Sequence, residues 1–262
     1  MRRYFISDLH LSDKRPDLIR AFVLLCQQLV ERDENAELYI LGDFYEAWIG
    51  DDYQSDWNTT IEQALLTVST SGRNLYFMHG NRDFLIGQCW ANRVGATLIK
   101  EQTCLHLGTG KVLLTHGDEY CLEDKEYQSF RQTVRSPQWQ ANILALPIEQ
   151  RLALAAQLRE DSKTMSNEKS LSIMDVTAAA AQQSLDQYQC ATLIHGHTHR
   201  PAIHKEDRYL RIVLGDWDNS IWLACIEEMT FTQSRCSVSD FLTQGLSGLE
   251  RVHQAPILMP NA

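Results

Sequence analysis

Five short apolar runs, each ending abruptly in polar residues, constrain the fold of this chain more than any other feature. Runs of this length and composition are typical of strands buried on both faces of a sheet. Helical patterns separate the first three runs, so the order β-α-β-α-β predicts an α/β sheet. The runs lie at 4–6, 38–41, 75–78, 112–114 and 192–194, with helices predicted at 16–32 and 59–70 and a shorter one at 84–94.

The second half of the chain predicts more β structure and one long helical insertion. Two pairs of short segments, 103–107 with 111–115 and 202–204 with 209–214, predict hairpins and therefore a second sheet. Residues 123–188 lack strand alternation and carry apolar residues at helical spacing. We expect a single domain over 1–262, with this helical insertion and a C-terminal tail at about 237–262 that either packs or is disordered.

Charge and cysteine content exclude several function classes. The 262 residues include 34 acidic and 24 basic ones, and the formal net charge of -10 argues against general nucleic-acid binding. Seven cysteines, an odd number without a C-x-x-C pair, favour a reducing cytosol. No apolar stretch suits a signal peptide or approaches the ~20 residues of a membrane span, so any membrane contact is expected to be peripheral.

Metal-type ligands follow each of the five apolar runs. A strand-end Asp is usually a turn residue, and a lone His is usually a satisfied surface or core residue. Five such blocks in this order, at the strand ends where α/β sheets place their sites, predict one shared metal centre. The blocks are Asp8-Leu9-His10, Gly42-Asp43, Gly80-Asn81-Arg82-Asp83, His116-Gly117-Asp118 and His195-Gly196-His197-Thr198-His199.

The donor atoms indicate the kind of centre. Carboxylate, imidazole and one amide oxygen, without thiolate, suit Mn²⁺, Mg²⁺, Fe or Zn²⁺ in a catalytic arrangement. Seven donors are too many for one tetrahedral ion, whereas two ions that share one carboxylate use them all. Such a pair clamps a phosphoryl group and lowers the pKa of a water between the ions, which predicts hydrolysis of a phosphorus ester or anhydride.

The five blocks resemble the calcineurin-like metallophosphoesterases, whose pattern is Asp-x-His, Gly-Asp-x-x-(Asp/Glu), Gly-Asn-x-(Asp/Glu), His and Gly-His-x-His. The resemblance implies an α/β fold, a two-sheet sandwich flanked by helices, here with a helical lid insertion. It also implies two ions with Asp43 shared between them. One ion would be held by Asp8, His10, Asp43 and His199, and the other by Asp43, Asn81, His116 and His197.

One departure from the general pattern points to a subgroup. Most members have His where this chain has Arg82, and that His assists the transition state or the leaving group. Arg82, together with the segments 42–52 and 79–84, resembles the pyrophosphatases of lipid A synthesis. These enzymes cleave UDP-2,3-diacylglucosamine to UMP and 2,3-diacylglucosamine 1-phosphate, normally with two Mn²⁺, as peripheral proteins on the cytoplasmic side of the inner membrane.

This closer resemblance also implies the working residues. Asp43, Asn81 and Arg82 would be catalytic. Ser166 is the least secure substrate contact, because neighbouring Asn167 could serve instead. The implied substrate contacts are Asn81, Arg82, Asp124, Ser162, Ser166, Lys169 and His197.

The insertion offers independent but ambiguous support. Ser162, Ser166 and Lys169 fall at i, i+4 and i+7 of a predicted helix, which is either a substrate-binding face or a solvated one. The apolar residues of the insertion would either line an acyl-chain groove and rest on a bilayer, or take part in ordinary helix packing. The alternative function is a metallophosphoesterase with a smaller nucleotide or phosphodiester substrate, and the intact ligand set argues against a non-catalytic scaffold. The apolar residues in question are Trp139, Ile143, Leu144, Leu146 and Leu152.

Overall fold

The computed structural model describes residues 1–32, 35–108, 110–168, 173–206 and 208–260, with the backbone alone at 163 and 165–168. The strands are β1 Arg3–Ile6, β2 Glu37–Leu41, β3 Asn74–Met78, β4 Ala96–Leu98, β5 Thr103–Leu107, β6 Gly110–Leu114, β7 Thr192–His195, β8 Ala202–Lys205, β9 Leu210–Val213, β10 Ser220–Glu227, β11 Thr230–Ser237 and β12 Glu250–Pro256. The helices are α1 Pro16–Arg32, α2 Asp56–Thr70, α3 Gln88–Val94, α4 Lys125–Val134, α5 Pro137–Leu144, α6 Ile148–Glu168, α7 Ala178–Tyr188 and α8 Val238–Gln244.

Two sheets form the centre of the fold. The first has the order β12-β11-β10-β1-β2-β3-β4, and the second has the order β5-β6-β7-β9-β8. Strands β1 to β4 are mutually parallel, as are β6, β7 and β9. The carboxyl ends of these parallel strands, where the predicted ligands follow, therefore lie along the edges of the two sheets that carry the site.

Alternate side chains of a strand lie on opposite faces of its sheet and therefore pack into different layers of the fold. On β2, Leu38 and Ile40 face the core shared with α1 and α2, whereas Tyr39 and Leu41 face the second sheet. A third cluster packs the outer face of the second sheet, through Leu113 and Leu193, against Leu185 of α7. The result is helices, sheet, sheet and helices in four layers, which confirms the predicted two-sheet α/β sandwich.

The C-terminal tail belongs to the first sheet. Strand β12 pairs antiparallel with β11, and Phe241 of α8 is completely buried. The sequence analysis predicted neither β12 nor its neighbours β10 and β11, and it placed the start of the second helix at 59 instead of Asp56. The tail therefore completes the sheet on the side away from the ligand-bearing strands.

Four helices, α4 to α7, lie between β6 and β7, where the sequence predicts the insertion. Two of them are capped by the residue just before the helix: Asp124 accepts a hydrogen bond from the Tyr127 amide at 3.0 Å, and Ser136 accepts one from the Trp139 amide. Across the residues described, no helix combines the length and the apolar content needed to cross a bilayer.

Candidate metal centre and active site

The predicted ligands lie in the loops that follow β1, β2, β3, β6 and β7, and many have strained backbones. Eight non-glycine residues in the described part of the chain have positive φ. Five of them are predicted ligands, a conformation that costs about 1–3 kcal/mol each and persists where the surroundings enforce it, commonly at functional sites. These five are Asp8 (57°), His10 (47°), Asp43 (51°), His197 (66°) and His199 (54°).

Close backbone packing enforces these loops. A Cβ on Gly80 would lie 2.2 Å from the amide nitrogen of Asp43, and one on Gly42 would lie 2.6 Å from Nδ1 of His116. Gly42 also has a φ of +87°. Glycine is therefore required at both positions, because a side chain would separate the loops that carry Asp43, Asn81 and His116.

One group of donors gathers Asp8, His10 and His199. The Nε2 atoms of His10 and His199 lie 3.2 Å apart, and His199 Nε2 is 3.5 Å from Asp8 Oδ1. Asp8 Oδ2 accepts a hydrogen bond from the His197 amide at 2.9 Å, which joins this group to the last block of the motif. The remaining oxygen, Asp8 Oδ1, is buried without a hydrogen-bond partner.

A second group gathers Asp43, Asn81 and His116. Nδ1 of His116 lies 2.8 Å from the Leu41 carbonyl oxygen, to which it donates, so Nε2 is the ring nitrogen that faces the site. Asn81 Oδ1 is 3.0 Å from that Nε2. The His197 ring lies edge-on to the His116 ring, with centroids 5.1 Å apart. All four predicted donors of this second ion thus face a common space.

Asp43 lies between the two groups. Its Oδ2 is 3.9 Å from Nε2 of His10, and its Oδ1 is 3.7 Å from Nε2 of His116. Asp8 is also close to both, since its donor atoms cluster either with His10 and His199 or with Asp43 and His116. The two oxygens of Asp43 therefore point toward different halves of the centre, as a shared carboxylate requires.

The electrostatics indicate a site built for positive charge. Burial lowers the pKa of His116, but Asp43 and Asp8 raise it to about 9. Burial lowers the pKa of His199 as well, but the charges of Asp8, Asp216 and Asp43 raise it to about 9. Burial and the charge of His116 lower the pKa of His197 to about 4. The carboxylates hold protons on two of the imidazoles, and a bound cation would take the place of those protons.

The donor set fits divalent metal. Asp8 Oδ1 is an orphaned buried acceptor, His116 turns Nε2 toward the site, and the group consists of oxygen and nitrogen donors. The structure thus brings together all seven residues that the sequence predicts as ligands, and their assignment to particular ions stays a proposal.

Arg82 extends from this centre toward an apolar groove. Its backbone amide donates to Asp43 Oδ1 at 2.8 Å, whereas its Nε is buried with no hydrogen-bond partner. Its guanidinium is 3.5 Å from the Ser162 hydroxyl of α6. A buried guanidinium nitrogen without a protein partner is suited to an anionic ligand.

We name the cavity between the sandwich and helices α4 to α6 the apolar groove; it has a volume of about 280 Å³. Its walls include Trp48 and Phe84 from the sandwich and Trp139, Ile143 and Leu158 from the insertion. At its polar end lie four of the predicted substrate contacts, Asn81, Arg82, Asp124 and Ser162.

Two further predicted contacts cannot be placed. Lys169 lies outside the described residues, and so does the side chain of Ser166. His197 is a neighbour of the metal centre, where its ring stacks on Tyr127 with centroids 5.9 Å apart. Asp124, besides lining the groove, caps α4.

The expected groove lining needs one correction. Leu144 and Leu152 are 42% and 41% exposed and do not line the groove, whereas Leu154 and Leu158 do. The predicted stripe runs through both helices, but α5 ends at Leu144 and α6 begins at Ile148. The turn between them breaks the helical phase, so spacing along the sequence did not identify the inward face.

Several functional neighbours were missed by sequence reasoning. Glu46 lies 3.3 Å from Nδ1 of His10 and 2.8 Å from Nε of Arg159 in α6, so it links a ligand to the insertion. Buried Asp118 accepts hydrogen bonds from the Tyr127 hydroxyl at 2.5 Å and from Arg131 Nε at 2.7 Å. Glu46 ends the Gly-Asp-x-x-Glu block, a signal that was available, but no motif marks Tyr127 or Arg131.

His195, which had no sequence-based role, is a buried structural residue. Its Nδ1 is 2.9 Å from the Gly196 carbonyl oxygen, and its Nε2 accepts from the Arg211 guanidinium at 3.3 Å. Burial and the charge of Arg211 lower its pKa to about 3. His195 is therefore neutral in the folded protein and fixes the strand end that precedes His197.

Comparison with known proteins agrees with this geometry. A sequence profile of the calcineurin-like phosphoesterases matches residues 1–201. A UDP-2,3-diacylglucosamine hydrolase from Chromohalobacter salexigens is 49% identical over 223 residues, which are 83% of this chain and 89% of the relative. Proteins of the same name from Cellvibrio japonicus and Tolumonas auensis are 46% and 43% identical, and the matches cover 85% and 87% of this chain and 93% and 94% of theirs. The chain therefore belongs to the calcineurin-like phosphoesterase family and groups within it with the UDP-2,3-diacylglucosamine hydrolases.

Proposed function

We propose that this protein hydrolyses the pyrophosphate bond of UDP-2,3-diacylglucosamine to UMP and 2,3-diacylglucosamine 1-phosphate, the step that its relatives' names indicate. We further propose that it uses two Mn²⁺ ions per chain, held by Asp8, His10, Asp43, Asn81, His116, His197 and His199. The oxygen and nitrogen donors suit Mn²⁺, and the two groups of donors on either side of Asp43 suit a pair of ions.

The observation that carries the proposal is the position of the apolar groove. It opens at Asn81 and Arg82, which are themselves beside Asp43 and His116, so a molecule in the groove would present its polar end to the metal centre. A diacylated sugar phosphate has this shape, with a polar phosphate end and an apolar body. A pocket lined mainly by apolar and aromatic groups, with a few placed polar groups, is typical of such ligand sites.

The residues of the chain have separable roles in this reaction. When bound, the metal pair supplies Lewis acidity and lowers the pKa of water at the site. Arg82 would bind the phosphoryl oxygens through its fork of donors and stabilise charge that develops on them. Asn81 and His116 would fix one side of the reacting phosphate, while Trp139 and Ile143 exclude bulk water from the groove.

The insertion also supports a peripheral position on the cytoplasmic face of the inner membrane. Large hydrophobic side chains are seldom exposed together on a soluble surface. In the described part of the chain, five of the seven exposed large hydrophobic residues belong to or border the insertion. They are Leu122, Phe130, Leu144, Leu152 and Ile173. We propose that they contact the acyl-chain boundary of the bilayer from which the substrate is taken.

The competing function is hydrolysis of a smaller nucleotide or phosphodiester at the same metal centre. A compact polar substrate would leave the walls of the apolar groove, among them Phe84, Trp139 and Leu158, without a role. The groove therefore favours the lipid substrate.

The test measures, in Mn²⁺, the release of UMP from UDP-2,3-diacylglucosamine and from unacylated UDP-glucosamine, and the release of p-nitrophenol from bis(p-nitrophenyl) phosphate. We expect kcat/KM to be highest for the diacylated substrate, with UMP and the lipid phosphate formed in equal amounts. Equal or faster cleavage of the unacylated compounds would favour the smaller-substrate function instead.

A further inference from the structure

A second groove lies on the other side of the metal centre. We name it the polar groove; it has a volume of about 450 Å³ and is lined by His10 and His199, by the loop before α1 and by the loop after β9. It shares Glu46, Arg82 and Arg159 with the apolar groove, so the two cavities meet at these residues. The predicted metal ligands His10 and His199 thus face a cavity that they do not share with the apolar groove.

The lining of this groove is polar where the first is apolar. Its apolar members are Leu18 and Trp217, which are both buried and form the floor. The walls present Ser12, Lys14 and Arg15, which can donate hydrogen bonds to oxygen atoms of a ligand. The volume falls within the range of roughly 300–1,000 Å³ that is typical of small-molecule sites.

The charges within the polar groove are unevenly compensated. Arg15 is paired with Asp218 at 2.8 Å and with Asp17 at 3.0 Å, and Arg159 is paired with Glu46. The third carboxylate of the lining, Asp216, lies 3.6 Å from Nδ1 of His199. Within the described residues, exposed Lys14 forms no ion pair, and Arg82 keeps a buried Nε without a partner. The four Lys and Arg side chains of the lining outnumber its three carboxylates, and Lys14 at the rim and Arg82 at the metal end are the two cations without a carboxylate partner among the residues described, which suits an anion with a polar body.

From this geometry we infer that the polar groove binds the nucleoside monophosphate half of the substrate, the part released as UMP. The inference rests on the proposed function and assigns to its substrate a second subsite. A pyrophosphate flanked by a lipid and a nucleoside needs two subsites of opposite character on either side of the cleaved bond. The apolar and polar grooves, which meet at Arg82, provide that pair. Ser12 and Lys14 would contact the ribose or the base, and Arg82 the phosphate.

The experiment measures UMP binding to the Mn²⁺-loaded protein by calorimetry, without lipid substrate. Ser12→Trp places a bulky side chain in the groove at a position that is not itself a predicted metal ligand, and Lys14→Ala removes a cation at the rim that has no carboxylate partner in the described part of the chain. Arg20→Ala removes an exposed cation of α1 that does not line the groove and is the matched control. The Mn²⁺ content of each variant reports separately on the integrity of the metal centre.

We expect the UMP dissociation constant to rise at least tenfold in Ser12→Trp and at least threefold in Lys14→Ala, and to be unchanged in Arg20→Ala, with the Mn²⁺ content of wild type in all three variants. Unchanged UMP affinity in Lys14→Ala would overturn the inference if Ser12→Trp either keeps its UMP affinity or loses bound Mn²⁺. If wild type releases no UMP from UDP-2,3-diacylglucosamine yet binds UMP with the expected variant effects, the proposed function fails and the subsite stands.

Discussion

At the scale of single residues, the metal centre is a set of ligands whose positions are fixed by backbone strain and by a few buried hydrogen bonds. Asp83 shows how this is done: its Oδ1 accepts from the Gly80 amide and its Oδ2 from the Phe44 amide, both at 2.8 Å. One carboxylate thereby ties the loop after β3 to the loop after β2. Loss of a ligand should consequently affect metal binding more than folding.

Asp43→Ala should cost more activity than the loss of a ligand that serves one ion. The two oxygens of Asp43 point toward His10 and His116 in different halves of the centre, so its removal disturbs both ions. We expect Mn²⁺-dependent turnover in Asp43→Ala to fall further than in His10→Ala. The measurement is kcat/KM with metal content determined on folded protein, and near-normal turnover in Asp43→Ala would refute the bridging role.

Arg82→Lys should lower kcat by at least about tenfold, equivalent to ~1.4 kcal/mol of transition-state stabilisation. A guanidinium binds two phosphoryl oxygens, whereas an ammonium is a point charge on a flexible stem. Steady-state kinetics on UDP-2,3-diacylglucosamine separate the parameters. An unchanged kcat with a raised KM would make Arg82 a uniform substrate binder without a transition-state role.

His195 should make the free energy of unfolding depend on pH below pH 7. Its pKa is about 3 in the folded protein, so between that value and the ~6.5 of an unfolded histidine the unfolded chain binds the extra proton. The stabilisation that the neutral His195 contributes is therefore fully present above pH ~6.5, and it is lost as the pH falls toward 3. From pH 7 to pH 5 the loss is on the order of 2 kcal/mol.

The corresponding measurement compares wild type with His195→Gln, both metal-free, by urea unfolding at pH 7 and pH 5. Gln cannot titrate, so the pH-dependent part of the free energy of unfolding should be smaller in the variant by up to the amount above. Identical pH dependence in the two proteins would show that His195 is not the buried neutral group that the structure indicates.

Among the elements, the short apolar strands that precede the motif blocks were predictable, whereas the more polar β11 and β12 were not, and β10 was missed although residues 221–226 form an apolar run. β2 and β7 consist of apolar residues because both of their faces pack, so a continuous apolar run identifies them. β11 and β12 have polar or exposed residues along much of their length, and such strands give little apolar signal. The predicted ligands could be identified because each of them follows directly on a buried strand. Arg159 and Tyr127 could not, because they lie on helices and belong to no sequence motif.

Helix α6 shows why the groove itself was not predictable from spacing. Leu154 and Leu158 face inward and Leu152 faces outward, although all three are leucines of one helix. Which face is buried depends on contacts far apart in the sequence, such as Arg151 of α6 with the Ile49 carbonyl oxygen at 2.7 Å. These contacts fix the rotation of α6 on the sandwich, and no local pattern contains them.

In the whole molecule, the candidate metal centre on the sandwich adjoins a groove that the insertion completes. The two parts come from distant segments and meet at Arg82, Asn81 and Ser162. Binding energy from the acyl chains, gained far from the cleaved bond, is then used to position the pyrophosphate. Damage to the groove should therefore remove lipid selectivity while the metal reaction is retained.

The most direct test is the ratio of kcat/KM for UDP-2,3-diacylglucosamine to that for bis(p-nitrophenyl) phosphate in Leu154→Asp, with Leu152→Asp as the control. The two variants place the same residue, Asp, on the inward face and on the outward face of α6, respectively. We predict that Leu154→Asp lowers lipid turnover at least about a hundredfold, roughly 2.7 kcal/mol, and diester turnover less than threefold. Leu152→Asp should leave the ratio within threefold in detergent. An unchanged ratio in Leu154→Asp, or an equal fall of both activities in a variant that still binds two Mn²⁺, would contradict the account.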